Sequence, residues 1–109
     1  MSLAERKLED HLSYYIKPDG TITAVMPDQE PTFTLGFIRG FVGPVVELVC
    51  YTHDGYALVC NPAASKQDLP VNEAATSLAK ESCGEESLIR GRAFLIHPEH
   101  FDRRVVPAA

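Results

Sequence analysis

The chain has 109 residues, a net charge of −5, 45% apolar residues and 23% charged residues. These values describe one globular domain able to bury about 65% of the surface its unfolded chain would expose. The basic residues are scattered rather than clustered, which argues against nucleic acid as a partner. The longest apolar runs, such as Ala93 to Ile96, fall far short of the ~20 residues a membrane helix requires, so no membrane partner is expected.

Ser2-Leu3-Ala4-Glu5 has the form of a capping box, and Leu3, Leu8 and Leu12 follow at helical spacing, which predicts a short helix over 3–12. Tyr14 to Lys17 and Thr21 to Met26 are β-prone, and Pro18-Asp19-Gly20 between them makes a first hairpin. From Thr32, apolar residues recur at three-and-four spacing up to Val42, and Gly43-Pro44 supplies a helix stop. Gly36 and Gly40 weaken this helix, and a helix lying tight on a sheet is the reading of that spacing. Val45 to Thr52 and Tyr56 to Asn61 form a central hairpin turning at Asp54-Gly55, closed by Pro62. Residues 63–71 read as loop, Asn72 to Glu81 as a second helix before Gly84, and Leu88 to Ile96 as a last strand. The fold class is therefore α+β: an antiparallel sheet of hairpins in ββαββαβ order, with an extra N-terminal helix and the main helix packed on one face. The whole of 1–109 reads as a single domain, divided into an N-terminal helix extension (1–13), a core (14–96) and a tail (97–109).

The three cysteines are read as thiols. With Asp54 and Gly55 as a two-residue turn, Cys50 sits opposite Val59 and on the other face of the ribbon from Cys60. A three-residue loop instead brings Cys50 and Cys60 to one face and permits a disulfide; the tight turn and no bridge is the reading preferred. The opening Met-Ser-Leu-Ala-Glu-Arg-Lys lacks an apolar signal core, so the expected address is the cytoplasm.

The Pro18-Asp19-Gly20 hairpin, the amphipathic helix ending in Gly43, the acid Glu47 within a strand, Asp54-Gly55, Cys60-Asn61, Leu69-Pro70-Val71-Asn72 and Gly91 occur in a characteristic order. Over about residues 14–96 this order resembles a small bacterial, phage and plasmid domain family of unknown function. Pro44 departs from it, because a second glycine follows the helix stop in such sequences. The resemblance implies an α+β fold and a mobile-element setting, and brings no activity or catalytic residues.

Few constellations point to chemistry. His97-Pro98-Glu99-His100 is the string most like a metal site, yet it offers two imidazoles in a tail expected to face solvent, where three or four fixed ligands are needed. Neither metal nor cofactor is expected. A cysteine nucleophile needs a base within ~3 Å; His53 is roughly 13 Å up the strand from Cys60, and Cys83 sits at a helix end whose dipole disfavours a thiolate. Glu47 lies among Val45, Val46, Leu48 and Val49, and strict alternation places it on one face with Val49, Tyr51, Leu58 and Cys60. An acid there must be solvated or paired, with Arg90 or Arg92 as available partners. Glu47, Asn61, Asn72 and Arg92 are the candidate ligand-binding residues should they converge on a small polar molecule. The leading expectation is a non-enzymatic protein-binding or self-associating domain, a homodimer above all, because open hairpin sheets leave edge strands to be covered. A small-molecule site or minor enzyme built on those four residues is the alternative.

Overall fold

Turn chemistry sets the boundaries of this fold. A computed structural model describes residues 12–52, 54–63, 68–84, 88–102 and 104. The helix expected over 3–12 lies outside them, save Leu12, which leads directly into the first strand. The elements follow as β1 (Ser13–Ile16), β2 (Ile22–Val25), α1 (Leu35–Val42), β3 (Glu47–Tyr51), β4 (Ala57–Cys60), α2 (Glu73–Cys83) and β5 (Ala93–Ile96), with a 3₁₀ turn over Pro98–His100. All five strands join one antiparallel sheet in the order β2-β1-β5-β4-β3.

The sheet is the middle layer of three. Ile38 and Val42 of α1 pack with Ala57, Val59, Phe94 and Ile96 on one face. Ala75, Leu78 and Ala79 of α2 pack with Leu58, Cys60, Ala93 and Leu95 on the other. Because β1, β4 and β5 are covered on both sides, every residue in them is buried, which is why their sequences read as continuous runs rather than alternating ones. Packing α2 on the second face adds a layer to the single covered face expected from sequence.

Local chemistry explains the helix ends. Thr34 caps α1 by accepting the Phe37 N–H at 3.2 Å, and its own hydroxyl donates to Asp28 Oδ2 at 2.6 Å. Gly43 ends α1 at φ 125°, and a β-carbon there would lie 2.6 Å from Asn61 Nδ2. Only glycine satisfies both demands. Gly36 and Gly40, by contrast, have nothing within 4 Å of a β-carbon position; they face outward, and close packing on the sheet is not their role.

The central hairpin departs from the expected register in two places. Thr52 N–H donates to Tyr56 O and Gly55 N–H to Thr52 O, both at 2.9 Å, which closes a three-residue loop with Gly55 at φ 85°. A bulge follows between Leu48 and Cys50, so that Leu48 pairs with Val59 but Cys50 with Leu58. One extra residue inverts the facing of everything beyond it. Cys50 thereby joins Glu47 on the α2 face and Tyr51 leaves it, the reverse of strict alternation. There Cys50 forms a disulfide with Cys83, at a Cα–Cα distance of 6.3 Å, and Cys60 stays buried outside it. The expectation of three thiols is thus corrected: the three-residue loop sets Cys50 opposite Leu58 rather than Val59 and so supplies the facing that the tight turn denies.

The last apolar run is also shorter as a strand than expected. Gly91, at φ 75°, bends residues 88–92 away from the sheet to bond the loop before α2. Asn72 N–H donates to Ile89 O at 2.7 Å and Gly91 N–H to Pro70 O at 2.8 Å.

Candidate functional site

Glu47, Asn61, Asn72 and Arg92 all lie near one end of the sheet, where Glu47 pairs with Cys60, Cys60 with Ala93 and Ala93 with Ile16. They do not share a face. Glu47 is half-buried at the start of β3 on the α2 side, and among the described residues no ion pair reaches it. Asn61 lies on the α1 side, against Gly43, with its Oδ1 accepting Ala63 N–H at 2.9 Å. Arg92 is on that side too, its guanidinium 5.9 Å from the Tyr15 ring centroid. Arg90 donates to Leu69 O at 3.0 Å rather than to Glu47. The sheet therefore stands between the two halves of the proposed set.

Asn72 is fully buried and has its side chain committed. Its Oδ1 accepts Ala75 N–H at 3.1 Å as the α2 cap, while Nδ2 donates to Ile16 O at 3.0 Å and Gly91 O at 2.9 Å. One amide thus ties α2, β1 and the bend before β5 together.

The tail residues pack rather than trail. His100 is 9% exposed, its ring edge-on to Phe33, and its backbone carbonyl accepts Phe33 N–H at 3.1 Å. The His97 and His100 rings are 5.1 Å apart; among the described residues no group of three metal-ligating side chains surrounds them or any other point. Ser13 Oγ lies 2.8 Å from His100 Nδ1 and accepts His97 N–H at 2.8 Å. The spacing matches a nucleophile and its base, but Ser13 is 0% exposed and its oxygen is occupied by the backbone donor. It works as a clasp holding the 3₁₀ turn to β1. No local signal in the sequence announces this clasp, since its partners are 87 residues apart. Beside it, Pro27, Glu30, Pro31, Glu99 and His100 line a shallow cleft of ≈ 170 Å³.

The surface with unmet bonding capacity is the edge of the sheet. Two strands stand there, and they are built differently. β3 is bulged, contains Glu47, and is bridged to α2, all of which obstruct further pairing. β2 pairs with β1 in unbroken register from Ser13–Val25 to Ile16–Ile22. The stretch from Thr21 to Met26 has no charge and no proline. Lys17 N–H donates to Thr21 O at 2.9 Å, so antiparallel alternation turns the Thr23 and Val25 backbone groups toward β1 and those of Ile22 and Ala24 outward. Thr23 and Ala24 are exposed, as is Met26 at 48%. Among the described residues no strand covers this edge.

Tyr15, beside Arg92, is stacked edge-on to Phe41 at 4.4 Å, with Lys17 Nζ also 5.9 Å from its ring centroid. Burial raises its phenol above the ordinary value, and the charge of Arg92 offsets part of that rise. No described helix is long and apolar enough to cross a membrane. No family model, curated protein or solved structure matches this chain.

Proposed function

We propose that this chain is a non-enzymatic, self-associating domain whose partner strand docks along β2. The observation that supports this reading is the neutral, unbulged outer edge of β2, beside a β3 edge that is obstructed in three ways. A second copy suits the edge because an antiparallel strand is self-complementary under a two-fold axis, and an uncharged one meets no like charge across it. With the axis at Thr23, Ile22 of each copy faces Ala24 of the other, and their outward N–H and C=O groups form four bonds between chains. So short an edge gives weak association, in the high micromolar range. The resemblance over 14–96 adds a setting, that of an accessory protein of a phage or plasmid.

The test is sedimentation equilibrium up to about 1 mM chain, on the natural sequence and on Ala24→Pro. Proline at Ala24 removes an outward N–H and leaves the bonds to β1 in place. The natural chain is expected to approach twice its 12.0 kDa mass, and the variant to stay monomeric with an unchanged circular dichroism spectrum. A natural chain that remains monomeric throughout, or a variant that associates equally well, removes the proposal.

A further inference from the structure

We infer that the Cys50–Cys83 disulfide is a reversible redox latch that fastens the last turn of α2 to the edge strand β3. α2 is held at both ends by unlike means. Its start is fixed by the buried Asn72 amide, which no oxidant or reductant alters, and its end by the disulfide. Cys50 and Cys83 are each partly exposed, unlike Cys60, so a reductant has access to this bond while the remaining thiol is shielded. The site also accommodates both oxidation states. Cys83 Sγ lies 3.3 Å from Tyr51 O; in the disulfide that sulfur carries no proton, and in the reduced chain the new S–H has this acceptor waiting.

Opening requires a dithiol reductant. One of its thiolates attacks Cys83 Sγ, the S–S bond breaks, and the Cys50 thiolate departs and takes up a proton. Cys83 is the favoured point of attack because the carbonyl end of α2 disfavours a thiolate there, making Cys50 the better leaving group. The second thiol of the reductant then attacks its own sulfur in the mixed disulfide and releases Cys83 as a thiol. Two electrons and two protons pass to the protein, and the reductant leaves as its cyclic disulfide. In the open state the end of α2 and the adjacent β3 backbone lose their covalent tie, while the Asn72 end stays docked.

The experiment treats the full oxidised chain with dithiothreitol under native conditions, alkylates it at intervals, and reads mass and amide hydrogen exchange. Two cysteines are expected to label, Cys50 and Cys83, before Cys60 does. In short labelling times exchange should rise roughly tenfold or more over residues 79–83 and 48–51, while β1, β4 and β5 stay protected. Cys83→Ser, whose hydroxyl keeps a donor for Tyr51 O, should show the open exchange pattern without any reductant. The inference is overturned if the purified chain already labels at three cysteines after exposure to air. It is overturned equally if the bond resists excess dithiothreitol until the protein is denatured, or if all three cysteines label together as secondary structure is lost.

Discussion

Replacing Asn72 with alanine should cost more than any other single polar substitution in the core. The change leaves Ile16 O, Gly91 O and Ala75 N–H without the partners they have at 3.0, 2.9 and 3.1 Å, at a position with 0% exposure. Each orphaned buried group costs about 1–3 kcal/mol, and the N-cap is already counted among them. Partial relaxation and entry of water bring the total to about 3–5 kcal/mol, a large fraction of the ~5–15 kcal/mol typical of a domain. With a urea slope of about 1.5 kcal/mol/M, the unfolding midpoint should fall by roughly 2 M or more. Asn72→Ser separates the contributions: its hydroxyl can still cap α2 but reaches neither carbonyl, so it should recover only about 1 kcal/mol. Equilibrium urea unfolding, followed by circular dichroism, measures both variants. A loss below about 1 kcal/mol for Asn72→Ala would refute the view that this amide joins three segments.

The disulfide closes a loop of sequence separation 33, which in the chain-entropy model stabilises the fold by about 3.7 kcal/mol. Reduction should therefore lower the melting temperature by roughly 15 °C without unfolding the domain at 25 °C, measured by calorimetry with and without reductant. Tyr15 should ionise above 10.0 in the folded chain; its contribution to stability is intact below that value and declines as the pH rises through the raised folded pKa. Ultraviolet titration should show Arg92→Ala raising it further, since the lost guanidinium was the opposing influence. Burial raises the Asp28 carboxyl, but the hydroxyl and backbone bonds from Thr34 outweigh it and hold the group below 3.8. Its contribution is present above 3.8 and lost as the pH falls through the depressed folded value, so Asp28→Asn should flatten that part of the acid-unfolding curve.

What was legible in the sequence was mostly local. Asp54-Gly55, Pro18-Asp19-Gly20 and Gly43-Pro44 each announce a reversal or a stop through backbone preference alone, and the hairpins and helix ends stand where those residues are. What eluded it depended on one residue of register or on long-range pairing. Asp54-Gly55 fits a two- or a three-residue loop, yet that one residue decides which side Cys50 and Tyr51 face and thereby whether a disulfide forms, and nothing around Val49 signals the bulge that keeps Glu47 on the same side. Alternation beside Cys60 already sets Glu47 and Asn61 on opposite faces, whereas the sides taken by Asn72 and Arg92 depend on where α2 and β5 pack, which short-range patterns do not encode. The cap that Asn72 gives α2 is local, an asparagine at a helix start, but its two bonds to Ile16 and Gly91 span 56 and 19 residues. Likewise His97 and His100 read as a solvent-facing tail because the Ser13 that clasps them is at the far end of the chain.

The edge of β2 can be examined amide by amide. In hydrogen exchange followed by NMR, Thr23 and Val25 should be protected at every concentration, because their N–H groups bond to β1. Ile22 and Ala24 should exchange rapidly in dilute solution and slow progressively as the chain is concentrated. If those two amides exchange at the same rate at both extremes, β2 is not where copies of this chain meet.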